Sequence, residues 1–564
     1  MIENFWHDKY PEGIAAEIDP SEYANAQAVL HQAVTLHGGK PAFTNFGHTL
    51  TWGDIYRLSG QLAAYFQNHT DLKPGDRIAI QLPNTLQYPV ALFGAMRAGL
   101  VIVNTNPLYT AREMAHQFVD SGAKALICLA NFAHMVEEVL PETQIRHLLI
   151  TEVGDLLPPL KRFVINTAVR HIKKMVPKYH LPLAVPYNRA LSLGKGQPLK
   201  EANPKLDDIA VLQYTGGTTG VAKGAMLTHR NLIANMLQAS AMLNGQLTDA
   251  DTVVAPLPLY HIYAFTVHCM VIMRVGAHNL LITNPRDGAT MLRDLARTPF
   301  TGFIGLNTLF IGLCNSEKFR NLDFSKLRLT ISGGMALQTS VAKRWQEVTG
   351  KLIAEGYGLT EASPLISLNP LQQIELGTIG IPVPSTEIKI VDEDGNEAPV
   401  GSPGELCARG PQVMKGYWNQ EQETANVLDP DGWLHTGDIA VVQENGYIRL
   451  VDRKKDMILV SGFNVYPNEL EEVLSQMPGV VKCAAVGIPS EKTGEAIKLF
   501  VVAEPGSDLT EKKVLNYMHD RVTGYKRPKF VEFRDSLPES NVGKVLRREL
   551  RAEELKRAEQ AKAK

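Results

Sequence analysis

Long apolar runs are missing from this chain: the best, residues 89–103, is broken by Arg97, short of the roughly 18 or more residues that a membrane-spanning helix needs. No basic-then-apolar leader opens it, since the first residues, MIENFWHDKYPEG, carry acids and a proline; secretion is not expected. The five cysteines, Cys128, Cys269, Cys314, Cys407 and Cys483, stand far apart with no C-x-x-C spacing, and read as buried thiols in a reducing compartment. The sixteen histidines include no H-E-x-x-H pair and no Cys/His cluster, so a tightly held transition metal is not expected. A net charge of −2 over 564 residues gives no long-range field for nucleic acid. A cytoplasmic protein without a nucleic-acid partner is the expectation.

What is present describes a large globular chain, with 45% hydrophobic and 21% charged residues and a length suited to several domain-sized units. From about residue 24 to 280, helical patterns alternate with short apolar runs such as RIAIQLP (77–83) and ALICLA (125–130), which predicts parallel α/β units with buried strands. At Gly377 the composition shifts. STEIKIVDEDGNE and GELCARG predict hairpins of a smaller β unit, expected as a distorted β-barrel. A charged knot at 452–456 follows, then about 110 residues patterned as a small α+β domain and ending in a charged helix. The division expected is a large domain over 1–452, a hinge over 453–456 and a mobile lid over 457–564.

One segment is unusual: residues 156–200 hold nine Lys/Arg and no acid. Within it Val164, Ile165, Ala168, Ile172, Met175 and Val176 recur at helical spacing opposite Lys161, Arg162, Arg170, Lys173 and Lys174. A basic amphipathic helix over 160–178 suits either an anionic membrane surface or a cover over the core with a solvated basic face. The first option makes the protein peripheral on the inner face of the membrane.

The chemistry starts with YTGGTTGVAKG (214–224), where glycines and hydroxyls surround one lysine. Glycines let backbone N–H groups converge on an anion, as in a phosphate nest. A Walker loop is excluded, because Lys223 is followed by Gly224 rather than Ser or Thr. Six more motifs follow: PLPLYHIYAF (256–265), ISGGM (331–335), EGYGLTE (355–361), GWLHTGD (432–438), VDRKKDMILVSGFNVYPNELE (451–471) and SNVGKVLRREL (540–550). Taken singly, each admits a plainer reading: a surface turn, a helix N-cap at Asp438, a satisfied core histidine at His261, a solvated lysine at Lys544. Together and in this order, over essentially the whole chain, they resemble the adenylate-forming ligases, most closely the bacterial long-chain fatty-acid–CoA ligases.

The resemblance implies an ATP-dependent acid–thiol ligase of fatty-acid degradation that makes acyl-AMP and pyrophosphate, then acyl-CoA and AMP. A medium-chain or aryl acid is the alternative substrate, and a homodimer is compatible with it. It implies that Tyr214, Thr215, Gly216, Gly217, Thr218, Thr219, Gly220 and Lys223 grip the ATP phosphates, and that Glu361 with Thr215 binds Mg2+. Gly333, Gly356, Tyr357 and Gly358 are implied at the adenine, Thr360 at the α-phosphate, and Asp438 and Arg453 at the ribose and phosphate. His261 is implied beside the substrate carboxylate, with Phe265, Gly305 and Gly334 along the acyl channel. Lys544, Glu361 and His261 are the implied catalytic residues, Lys455 the hinge, and Gly462, Phe463 and Asn464 the face that serves the coenzyme A step. A cation such as Lys544 suits a reaction that joins two anions, because it stabilises charge that grows in the transition state.

Overall fold

The computed structural model describes residues 5–215, 222–490, 492–540 and 543–562. Seven strands form the first sheet, in the order Ala184–Pro186, His147–Thr151, Ala125–Leu129, Arg77–Gln81, Val101–Asn104, Ile209–Thr215 and Lys223–Thr228. All neighbours run parallel except the last pair. Nine strands form the second sheet, with Ala354–Gly358, Leu329–Ser332, Gly302–Gly305, Thr252–Ala255, His278–Leu281 and Pro41–Asn45 as its parallel centre and antiparallel strands at both edges. The apolar runs at 77–83 and 125–130 are buried parallel strands, as their lack of alternation predicts.

A layer of helices lies between the two sheets and is shared by them: one apolar cluster contains Ile78 and Ile127 of the first sheet together with Phe43, Val253 and Ile304 of the second. The helix Gln87–Arg97 is buried along its whole length. This explains the interrupted apolar run at 89–103, because Arg97 stays inside by stacking 4.0 Å over Tyr56 and bonding Glu201 from Nε at 2.9 Å. Outer helices show one apolar stripe. Ala111–Ser121 buries Met114 and Phe118, starts at a reciprocal Thr110/Glu113 capping box and stops at Gly122 in the left-handed conformation.

The smaller β unit is an open antiparallel sheet of four strands, Glu387–Val391, Gly404–Arg409, Leu434–Val442 and Ile448–Arg453, rather than the expected barrel. Four strands are too few to close round a filled interior. Its apolar face is covered instead by Trp6, Tyr357, Ile366 and Ile379. Beyond the turn Lys454–Asp456, the hairpin Val480–Ser490/Gly494–Ala503 carries Pro467–Ser475 and Glu511–His519 on one face and Arg547–Lys562 on the other. The apolar clusters divide at that turn: those before it reach Leu450, and those after it begin at Ile458.

The acid-free segment forms the helix Pro159–Thr167 and a continuing wider turn, Ala168–Ile172. Its apolar residues divide: Ile165 and Val176 pack against core clusters, while others face water. Leu160, Phe163 and Ile172 are 78%, 69% and 76% exposed.

Under the second sheet, the Trp345 ring lies 4.8 Å from that of Phe310 and 5.5 Å from those of Phe303 and Phe319. Trp345→Ala should cost about 3–5 kcal/mol, read as a lower denaturant midpoint for the large domain. An unchanged midpoint would contradict this packing.

Candidate active site

A cleft of about 200 Å3 opens where the small C-terminal domain meets the carboxyl ends of strands Leu329–Ser332 and Ala354–Gly358, the usual ligand position in α/β sheets. Gly334, Gly356, Tyr357 and Gly358 line it from the large domain, and Lys544 and Arg547 from the lid. Gly358 tolerates no side chain, because a Cβ there would stand 2.1 Å from the Pro364 carbonyl oxygen.

Asp438 is no helix cap. It lies in the strand Leu434–Val442, opposite Arg453 in the ladder. Its Oδ2 accepts from the Tyr357 hydroxyl at 2.6 Å, and its Oδ1 faces Arg453 Nε at 3.2 Å. The turn before it needs Gly437, whose φ is +70°. Burial and the neighbouring Asp438 carboxylate hold the Tyr357 phenol well above its ordinary range, so it remains a hydrogen-bond donor.

Lys544 reaches this pair from the loop preceding Arg547–Lys562. Burial, and then the Arg453 charge, push its ammonium down to about 8 against the opposing pull of Asp438. Two crowded cations invite an anion between them. Glu355 lies deeper and accepts the Leu337 N–H at 2.8 Å. Burial pushes its carboxyl up to about 8, so at neutral pH it is mostly protonated and able to donate.

The glycine loop 216–220, and with it Gly216, Gly217, Thr218, Thr219 and Gly220, lies outside the described residues. Its two stems are described: Thr215 and Lys223 are paired across an antiparallel ladder. The Lys223 ammonium bonds Glu423 and sits 5.3 Å from the centre of the Tyr417 ring. The Tyr417 hydroxyl donates to Glu361 Oε1 at 2.6 Å. Lys223 and Glu361, 138 residues apart in sequence by their numbers, are thus brought together through one tyrosine. Tyr214 is not turned toward them: its hydroxyl donates to Asp120 at 2.5 Å.

Next to the cleft is a small apolar cavity of about 50 Å3, lined by Leu243, Leu247, Val267, Val271, Ile304 and Leu368 among others. Tyr263 lines the cavity, and its ring atoms lie 3.1 Å from where a Cβ on Gly333 would stand. Gly333 precedes Gly334 of the cleft, so Tyr263 and this glycine pair form the partition. Phe265 is fully buried and begins a wide helical turn, Phe265–Val271, while Gly305 packs on Phe310; neither lines the cavity. His261 Nδ1 accepts the Tyr263 N–H at 3.3 Å. Burial holds its imidazole down at about 4, so the ring is neutral and carries its proton on Nε2.

On the lid, Gly462 and Phe463 face solvent, and the Phe463 ring stacks on Tyr525 at 4.6 Å. Asn464 donates to Glu393 of the large domain at 3.1 Å. Lys455 sits in the turn between the two bodies. Thr360 opens the short turn Thr360–Ala362 that holds Glu361.

Tyr417 and Glu472 stand outside every motif, whereas Asp452, Asn468 and Arg547 stand inside motifs that assigned them no role. Glu355 opens a recognised motif yet drew no role. Only burial distinguishes it.

Residues 30–418 match the AMP-binding enzyme family, and residues 469–544 match the AMP-binding enzyme C-terminal domain. The chain is 52% identical over 556 residues to a long-chain-fatty-acid–CoA ligase of Escherichia coli O6:H1, covering 98% of each chain. It is 36% identical over 558 residues to the protein of the same name from Bacillus subtilis, covering 97% of this chain and 98% of that one. The crystal structure of ATP-bound MatB from Rhodopseudomonas palustris superposes with a TM-score of 0.81 at 27% identity, over 94% of this chain and 98% of that one. With both halves matched and the cleft lying between them, the chain belongs to the AMP-binding enzymes.

Proposed function

We propose that the protein is a long-chain fatty-acid–CoA ligase that activates its acid as acyl-AMP. One juxtaposition carries this reading: a lid lysine, Lys544, enters a polar cleft beside Asp438 and Arg453, and Tyr263 and a glycine pair lie between that cleft and an apolar cavity. The polar lining of the first suits a nucleotide and the apolar lining of the second an alkyl chain. The high identity with ligases named for long-chain fatty acids supports the substrate class over an aryl or medium-chain acid.

In the first step a carboxylate oxygen attacks the α-phosphorus of ATP, and the bond to the β-phosphate breaks, releasing pyrophosphate. Lys544 and Arg453 balance the charge that gathers on the phosphoryl oxygens. Asp438 accepts from the ribose hydroxyls, and Tyr357 and the glycines at 333–334 and 356–358 make room for the flat base. Neutral His261 approaches the acid as a donor that holds no proton the carboxylate would take. In the second step the coenzyme A sulfur attacks the carbonyl carbon, the carbon–oxygen bond to AMP breaks and the thiol proton passes to solvent.

Glu361 with Thr215 fits magnesium. A carboxylate with Tyr417 on one oxygen keeps the other for a hard cation, which needs few protein ligands when phosphate and water supply the rest. Bound there, the ion would neutralise phosphate charge. Lys223 and the glycine loop hold the outer phosphates.

Lys544 has no task in the second step. Turning of the lid, residues 457–564, on Lys455 within the hinge 453–456 would withdraw it and bring Gly462, Phe463 and Asn464 toward the thiol. The exposed Phe463/Tyr525 stack offers a flat apolar surface for part of coenzyme A.

The exposed apolar side of 160–178, rimmed by Lys161, Arg162, Lys173 and Lys174, supports peripheral binding to an anionic bilayer. No described helix is long and apolar enough to cross one. Pairing Phe163→Asp with Ile172→Asp should abolish co-sedimentation with phosphatidylglycerol vesicles; parent-like binding would remove this surface from consideration.

Lys544→Ala should slow acyl-AMP formation by about a hundredfold or more while thioester formation from supplied acyl-AMP stays within about threefold of normal. Pyrophosphate exchange with palmitate reads the first step, and a normal exchange rate would end the assignment.

The pH dependence follows in sign. Only the ammonium form of Lys544 serves, so kcat/KM for ATP should fall as pH rises through about 8. In Lys544→Arg, whose charge persists, that alkaline limb should vanish. Its persistence would place the titration elsewhere.

A further inference from the structure

Three residues after Lys544, Arg547 opens the helix Arg547–Lys562, and its side chain is only 15% exposed. Its Nε and Nη2 donate to the two oxygens of Glu471 at 2.9 and 2.7 Å, a two-pronged contact. Nη1 donates to Asp452 Oδ1 at 3.1 Å and to Asp456 Oδ2 at 3.4 Å, and Nη2 also donates to the Asn468 side-chain oxygen. The acceptors are themselves tied down. Glu471 Oε1 accepts the Ala485 N–H of the lid sheet at 2.8 Å, and Asp452 Oδ2 accepts the Asn468 N–H at 2.6 Å.

These partners lie on both sides of the turn Lys454–Asp456. Asp452 is buried in the last strand of the large domain, paired with Ile439, the residue after Asp438. Glu471, Asn468 and Arg547 belong to the lid. A single guanidinium therefore connects the Asp438/Arg453 strand pair to the loop that carries Lys544. We propose, resting on the reading of Lys544 above, that Arg547 is the positioning residue that holds Lys544 in the cleft, and that its contact with Asp452 is the latch that must open before the lid can turn.

The geometry demands an arginine. Lysine keeps the charge but has neither the planar fork nor the donors to satisfy Glu471, Asn468, Asp452 and Asp456 together. Rotation about the intervening turn moves Arg547 relative to Asp452 while Glu471 and Asn468 travel with it. The contact across the turn breaks, and the contacts within the lid survive.

Arg547→Lys and Asp452→Asn separate the two effects. Arg547→Lys is expected to lower kcat for acyl-AMP formation at least tenfold, with KM for ATP changed less than threefold and thioester formation from supplied acyl-AMP within twofold of normal. Asp452→Asn removes the charge that faces Arg547 across the turn and one of the two acceptors Asp452 offers to Arg547 and to the Asn468 N–H, leaving the Arg547–Glu471 contacts within the lid, so it should slow the first step and leave the second equal or faster. Equal losses in both steps in Arg547→Lys, or an unaltered first step in Asp452→Asn, would overturn the proposal. Lys544→Ala measured alongside separates the layers. Loss there with a normal first step in Arg547→Lys overturns the positioning role alone, whereas a normal first step in Lys544→Ala overturns the reading beneath it.

Discussion

The whole arrangement answers to one electrostatic constraint: a carboxylate has to approach a polyphosphate. At about 4 Å two unit charges interact by roughly 1 kcal/mol in water and about 4 kcal/mol in the effective dielectric near a protein surface. A site dry enough to protect a mixed anhydride therefore strengthens the repulsion it has to overcome. Cations resolve this only if they stand between the reactants, and two of them, Arg453 and Lys544, crowd each other in the cleft. The crowding favours an incoming anion. It also explains why one of the two is carried on a separate body, since a lysine fixed between the reactants would obstruct a second nucleophile.

The large domain supplies what does not move. Two sheets share one layer of helices, so the cavity proposed for the alkyl chain lies inside an already apolar core, with walls from the helix His229–Leu243 and from strands of the second sheet. The cleft is formed just outside the carboxyl ends of those strands, where backbone groups no longer engaged in the ladder are free for a ligand. A glycine pair beside Tyr263 keeps the partition thin. The open four-stranded sheet contributes Asp438 and Arg453 from adjacent strands, and pairing sets their spacing without help from a loop.

Much of this was legible in the sequence for a definite reason. Buried parallel strands have to be apolar throughout, so the runs at 77–83 and 125–130 announce themselves, and loops that approach a ligand need glycines at fixed offsets. Partners that meet only through the fold leave no such trace. Tyr417 serves Glu361 from 56 residues away, and Arg547 reaches Asp452 across 95; neither separation has a period or composition to mark it. The barrel expectation failed because hairpin signals register strands and turns but not whether the first and last strands meet. The two readings of the 160–178 segment could not be separated by spacing either: helical spacing shows that an apolar stripe exists, and only packing shows that Ile165 and Val176 lie against the core while Phe163 and Ile172 face water.

A hinge between two bodies is useful only if each body is stable alone and their contact is weak enough to break. The apolar clusters meet the first condition, because those of the lid begin at Ile458 and draw nothing from the large domain. The contacts across the divide meet the second. Among the described residues they are chiefly polar: Thr339 N–H to Glu472 at 3.4 Å, Ser340 to Ser475 at 3.4 Å, Asn464 to Glu393, the Asn468 N–H to Asp452 at 2.6 Å, the Asn468 side-chain amide to the Val451 carbonyl at 3.4 Å, and the Arg547–Asp452 pair. An apolar interface of similar extent would lose burial in proportion to its area when the lid turned. Neutral polar contacts exchange with water at a net cost near 1 kcal/mol each and charged ones at somewhat more, so a polar seam suits the turning proposed for the lid better than an apolar one would.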